Sequence, residues 1–239
     1  MLFRGLKRVA RAVLFPKVVQ LPGFLRPLLR FCYEAHFGVI VLFNLIRNTL
    51  YAYPLFQARC VSVGKGVSID RLPFVTGPVE ITIGNHCWIG GKFEVFAGRV
   101  LEQPPQLILE DYAEVSWNVS ITVNSQVVIE EHARVSFNCR ISDSDGHPRA
   151  ADLRAANYPM SKRDIRPVRI GRYSWIGNGT HIMKGVTIGE GAVIGANSVV
   201  IHDIPPYSLA LGNPAEVLLK NFGKPRNPLP ERPAQEPPA

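Results

Sequence analysis

Two aspartates and a histidine stand at alternate positions in the stretch Ser142-Asp143-Ser144-Asp145-Gly146-His147-Pro148-Arg149. In extended backbone alternate side chains share one side, so Asp143, Asp145 and His147 are expected to point the same way. Two chemistries compete for that arrangement. A carboxylate that accepts one imidazole N–H fixes the tautomer and frees the other nitrogen to take a proton, whereas a D-x-D-x-H set can also hold a metal ion. The stretch opens a segment of 28 residues between Ile141 and Ile170 through which no regular period runs. A long loop leaving a rigid body is a usual place to build a site.

The rigid body is written in a ladder of aliphatic residues six apart: Ile170, Ile176, Ile182, Ile188, Ile194 and Val200. The phase extends upstream through Val63, Ile69 and Val75, then Ile83, Ile89 and Val95, then Leu109, Val115 and Ile121, then Ile129, Val135 and Ile141. A period of six is the hexapeptide signature of a parallel β-helix, and three hexapeptides make a coil. Six coils follow, in a prism roughly 29 Å long at the usual strand spacing. A second position repeats with the first: Val67, Cys87, Ala113, Ala133, Ser174 and Ala192 stand four residues after each coil start. All are small, as a tight corner requires. Ordinary alternating strands would show a period of two.

The chain has 239 residues, 46% of them hydrophobic, enough for one main domain with attachments. The expected boundaries are 1–59 for a basic helical extension, 60–220 for the β-helix with an excursion at 142–168, and 221–239 for a Pro-rich tail expected to be disordered. The net charge of +8 is concentrated at the start. Residues 1–60 carry nine Lys and Arg against Glu34 alone. Leu2, Leu6, Val9 and Val13 follow helical spacing opposite Arg4, Lys7, Arg8 and Arg11, a pattern that suits an anionic membrane surface or packing on the protein's own body. Phe24 to Tyr53 reads as one or two helices with aromatic anchors. The longest strongly apolar run, Phe37 to Phe43, is short of the ~18–20 residues that a bilayer span requires, so none is expected. Cys32, Cys60, Cys87 and Cys139 form no CxxC pair and are expected to be reduced and structural, in a cytoplasmic protein.

Tyr173-Ser174-Trp175-Ile176-Gly177-Asn178, Gly185-Val186-Thr187-Ile188-Gly189, Ile194-Gly195-Ala196-Asn197-Ser198-Val199-Val200 and Gly212-Asn213-Pro214-Ala215 resemble the hexapeptide-repeat acyltransferases. These include the galactoside, maltose and xenobiotic acetyltransferases and the O-acetyltransferases of bacterial polysaccharides. The resemblance covers roughly residues 60–220. It implies an all-β fold, a left-handed parallel β-helix, assembled as a homotrimer with acetyl-CoA and acceptor bound between subunits and no metal required. It also implies that His147, in its Gly-His-Pro turn, is the general base. An unperturbed imidazole pKa of about 6.5 suits that task.

By the same resemblance, the backbone N–H of Asn178 polarises the thioester, Ala196 meets the pantetheine arm, and Ile201, His202 and Trp175 line the donor wall. Acceptor binding falls on Ser116 and Asn124, with Asn118 beside them. The departures lie at the phosphate end. Many relatives carry lysine at the position of His202 and arginine at that of Glu216, and Lys220, Lys224 or Arg226 are the available compensating charges. His86, Tyr112, His132 and Tyr173 fall at one outward place in successive coils and are expected to form a surface row. Two coils, close to 10 Å, are too far for His86 and His132 to share a metal. The implied activity is O-acetylation of a sugar of a surface polysaccharide or its lipid-linked precursor, at the inner face of the membrane. N-acetylation of an amino sugar, free or nucleotide-linked, and a non-catalytic assembly role at the membrane are the alternatives.

Overall fold

The computed structural model describes residues 22–98 and 103–225, in a chain that divides into two units, residues 1–45 and 46–239. The helix expected between Leu2 and Leu14 and the tail beyond Pro225 lie outside the described residues. One continuous helix, α1, runs from Gly23 to Arg59 through a π-helical turn at Asn48–Ala52.

α1 changes the premise of one expectation, the length of the apolar stretch. At 37 residues it is, by length and composition alone, long and apolar enough to cross a membrane. Counting only the unbroken run Phe37–Phe43 missed this, because a helix places the few charged residues between Leu28 and Leu45 among a majority of apolar ones.

Residues 62–212 wind into a parallel β-helix with three faces. Face one stacks Ser62–Val63, Glu80–Ile83, Gln106–Leu109, Gln126–Ile129, Val168–Ile170 and Thr187–Ile188. Face three stacks six strands likewise, among them Glu94–Ala97, Ser120–Val123, Arg140–Ser142, His181–Ile182 and Val199–Val200. Face two holds eight, because the hairpin of Ser208–Gly212 and antiparallel Ala215–Lys220 is added after the last coil. The chain passes face one, face two and face three in turn, so each coil has three corners. Within the coils the strands pair in parallel with the equivalent strand one coil away, as at Ile141 with Ile121 and Ile182.

The period-six residues line the interior. Ile170, Ile176, Ile182, Ile188, Ile194 and Val200 are all at most 1% exposed. In the first coil Ile69 is buried, while Val63 and Val75 are only partly so, where the stack begins. The small-residue corner behaves as its spacing predicts, with Cys87, Ala113, Ala133, Ser174 and Ala192 buried in register. Cys87 and Cys139 donate their Sγ–H to Glu110 O and Gly177 O, and burial pushes both thiols up to about 11.

The open end of the first coil is closed by the last turns of α1. Ala52 and Phe56 are 1% exposed in the core. Asn48 Nδ2 donates to Ile69 O at 3.1 Å and Arg59 donates to Val79 O and Gly77 O at 2.9 and 2.7 Å. First-coil carbonyls are thereby supplied with donors.

At the corner between faces one and two the expected row forms a continuous stack. His86, Tyr112, His132 and Tyr173 have ring centroids 5.0, 4.7 and 5.1 Å apart and planes within 13° of parallel. All four have left-handed backbone, φ between 55° and 59°. Gly191 holds the same place one coil on, where a Cβ would stand 2.5 Å from the Tyr207 ring.

Candidate active site

The excursion leaves the prism at the corner between faces three and one, and its root is fastened by buried polar bonds. The carboxylate of Asp143, fully buried, accepts the N–H of Asn124 at 2.8 Å and of Ser125 at 2.6 Å. Burial pushes its pKa up, while these hydrogen bonds act in the opposite sense. Asp143 O accepts the N–H of Arg166 at 2.8 Å, and Ser144 bridges Ile165 in antiparallel fashion. Asn124 Nδ2 donates to Ser144 Oγ at 2.6 Å. The two limbs of the loop therefore leave together, as a short hairpin stem.

Beyond the stem a charged clamp holds both limbs. Lys184, at the same corner one coil later, pairs with Asp145 and donates to Asp164 O at 2.9 Å. Arg149 pairs with Asp145 at 3.4 Å and with Asp164 at 3.1 Å. The Ser161 hydroxyl, first among the causes, holds the Asp164 carboxyl below the usual range, with Arg149 and Lys184 adding to it. His147 lies between the clamped residues Asp145 and Arg149 and is exposed, while the next residue, Pro148, is buried. The imidazole is thus presented outward from a loop tied on either side of it.

The geometry corrects the expected triad. Among the described residues neither Asp143 nor Asp145 bonds to His147; one is engaged at the loop root and the other by Lys184 and Arg149. Alternate side chains share a side only in extended backbone, and Gly146, at φ 77°, breaks it directly before the histidine. For the same reason the three do not converge as a D-x-D-x-H set.

The donor-wall candidates fall at two corners. Trp175 is 54% exposed on face two, its Nε1 donating to Ser136 Oγ at 3.0 Å. Asn178 and Ala196 are exposed at the corner between faces two and three in successive coils, with Asn178 O accepting the N–H of Asn197 at 2.7 Å. Ile201 and His202 are exposed at the third corner, and Glu216 is exposed in the closing hairpin opposite Leu211. Within one chain, His147 and Asn178 thus lie at different corners, with face three between them.

The acceptor candidates separate too. Ser116 and Asn118 lie at the second corner, where Asn118 donates to Asn138 Oδ1 at 2.7 Å. Asn118 borders a groove of about 700 Å³ on face three with Glu94, Phe96, Arg140 and His181. Asn124, only 8% exposed, supports the loop stem and edges a second groove, of about 400 Å³, with Gln106, Gln126, Lys162 and Ile165. One chain does not bring the three together. The sequence reading also passed over Lys184, Arg149 and Asp164. Lys184 is legible in the repeat, since it stands two residues after the rung Ile182 as Asp143 stands two after the paired rung Ile141.

Comparison with known proteins places this architecture. Residues 167–202 match the family described as bacterial transferase hexapeptide (six repeats). A probable acetyltransferase of Mycobacterium tuberculosis is 31% identical over 178 residues, 73% of this chain and 55% of that protein. The chain spans about half the length, or less, of the curated relatives it matches. Among solved structures, a variant of AntD, an N-acyltransferase from Bacillus cereus, in complex with dTDP-4-amino-4,6-dideoxyglucose and coenzyme A, aligns with a TM-score of 0.57 at 17% identity, covering 71% of this chain and 88% of that one. A hexapeptide-repeat-containing acetyltransferase from Vibrio cholerae aligns at 0.50 and 22%, covering 71% and 78%. At these identities the two structures establish the fold, a left-handed parallel β-helix.

Proposed function

We propose that this chain, whose β-helix is that of the hexapeptide-repeat acyltransferases, is an acetyl-CoA-dependent O-acetyltransferase acting on a sugar hydroxyl of a surface polysaccharide or its lipid-linked precursor. One observation carries the reading: His147 is held outward at a corner of the prism by a loop whose two limbs are tied at the stem and by the Lys184 clamp. A base on a bare flexible loop would spend binding energy on being ordered; this one is placed before substrate arrives.

In the reaction, His147 takes the proton of the acceptor hydroxyl as that oxygen forms its bond to the thioester carbonyl carbon. Negative charge grows on the carbonyl oxygen, and the backbone N–H of Asn178 is the donor assigned to it. Such contacts are commonly worth about 3–4 kcal/mol. Collapse breaks the carbon–sulfur bond, and the imidazolium returns its proton to the departing thiolate. The products are an O-acetyl ester and free coenzyme A. The small, exposed Ala196 fits a wall along which a pantetheine arm lies against backbone. Because His147 and Asn178 stand at different corners of one chain, the reading requires a homotrimer in which one copy supplies the base and its neighbour the donor wall.

The test is direct. Purified protein is given acetyl-CoA with a panel of hydroxyl and amino sugars, thiol release is followed, and the product bond is challenged with hydroxylamine. Acceptor-dependent thiol release with a hydroxylamine-labile product is expected. A stable amide would move the assignment to N-acetylation, and absence of both donor binding and thiol release would leave a non-catalytic β-helix. Mass spectrometry of the surface polysaccharide with and without the protein then identifies the acceptor.

A further inference from the structure

α1 is dressed for neither water nor a protein core. No residue of its segment Arg26–Arg47 is buried, and the exposed side chains include Phe31, Val39, Leu42, Phe43 and Ile46. Residues three and four apart share a helix face, and positions 26, 30, 34, 37, 41, 44 and 48 form one such line. Arg26, Arg30, Glu34, Asn44 and Asn48 occupy five of its seven places. Away from that line, His36 is the only strongly polar residue between Phe31 and Ile46. A wide apolar face beside a narrow stripe with cations is the form of a helix lying in a membrane interface.

Length admits a span instead, and charge decides between the two. Arg4, Lys7, Arg8, Arg11, Lys17, Arg26 and Arg30 lie before the apolar stretch, and Arg47 and Arg59 follow it. A span would carry one of these basic flanks across the bilayer, against the strong bias that keeps Lys and Arg on the side of synthesis. A helix in the plane leaves both flanks where they started and sets Arg26 and Arg30 close to anionic headgroups.

We propose that α1 is a monotopic anchor lying in the plane of an anionic leaflet, with the line through Arg26, Arg30, Glu34 and Asn44 toward the headgroups and Phe31, Leu42 and Ile46 in the acyl region. The partner is lipid. The inference stands on the helix alone and is independent of the acyl-transfer reading.

Val41 and Leu42 are adjacent and both exposed, yet Val41 lies on the polar line and Leu42 on the apolar face. Flotation of the full-length protein with vesicles of phosphatidylglycerol and phosphatidylcholine in equal parts separates the possibilities. Wild type is expected to float, Val41→Asp to float within about twofold of it, and Leu42→Asp to fall by about tenfold or more, because only the latter drives a charge into hydrocarbon. Melting of the β-helix should be the same for all three. Equal loss in both variants would mean a span and overturn the in-plane placement. A wild type that stays with the unfloated protein would overturn the anchor, and so would self-association without vesicles that Leu42→Asp dissolves, since a second copy would then cover the helix.

Discussion

At the residue scale, the proposed site is a histidine presented by its neighbours rather than paired with them. His147→Ala should lower kcat by about 10²–10⁴-fold, the usual worth of a general base. Its melting temperature should stay that of wild type, since an exposed loop side chain contributes little packing. Steady-state rates beside a thermal melt check both halves. On the proposed reading Lys184, which contacts Asp145 and Asp164, positions the loop that carries His147. Lys184→Met is expected to cut kcat by about 10-fold or more while leaving the KM for acetyl-CoA unchanged, because small displacements of a catalytic group are costly. Lys184→Arg, which keeps the charge, should restore most of the rate. A Lys184→Met enzyme changed in stability alone, with wild-type kcat, would reduce the clamp to a structural brace.

At the element scale, each corner is a column of equivalent residues, and departures within a column can be read as energies. Ser174 stands in the buried column of Cys87, Ala113, Ala133 and Ala192, and among the described residues its Oγ has no hydrogen-bond partner. Leaving a buried hydroxyl unpaired costs about 1–3 kcal/mol. Ser174→Ala should therefore stabilise the fold, raising the melting temperature by about 2–4 °C per kcal/mol recovered in a chain of this length. A lower melting temperature would mean that the hydroxyl is satisfied in solution. In the last coils, Glu190 accepts the Tyr207 hydroxyl at 2.5 Å and the Arg172 guanidinium at 3.1 Å, and these hold its carboxyl below the usual range. A carboxyl lowered by folding contributes stability above its unfolded pKa of about 4.3 and loses it as pH falls through the folded value. Glu190→Gln should thus melt below wild type at neutral pH, with the difference closing as pH falls below the unfolded carboxyl range. A difference that is constant with pH would assign the effect to packing.

At the scale of the whole molecule, the proposed base His147 and the proposed donor residues Asn178 and Ala196 sit at different corners of one prism, so on this reading a complete site needs two copies. Mixing decides this. His147→Ala chains and Ala196→Trp chains, each expected to be inactive alone, are unfolded together in equal amounts and refolded. If each site takes its base from one subunit and its wall from the next, random assembly recovers about a quarter of wild-type activity. A site contained in one chain would recover none.

How much of this was legible beforehand follows from the range of the interactions involved. Period six dictated the prism, because each aliphatic rung is a local choice repeated coil after coil; Ile170 through Val200 are buried as their spacing requires. The aromatic row of His86, Tyr112, His132 and Tyr173 followed from the same count. The sequence also located the excursion and the histidine within it. It did not reveal what holds them. Asp143 turned inward to backbone N–H groups of Asn124 and Ser125, 19 and 18 residues away, and Asp145 was taken by Lys184, 39 residues away. Neither partner shares a repeat with the loop, and Gly146 at positive φ removed the alternation on which a local reading depended. Periodicity determines what faces the interior, since burial repeats along the chain; which polar groups meet at a loop root is decided only when coils distant in sequence are stacked.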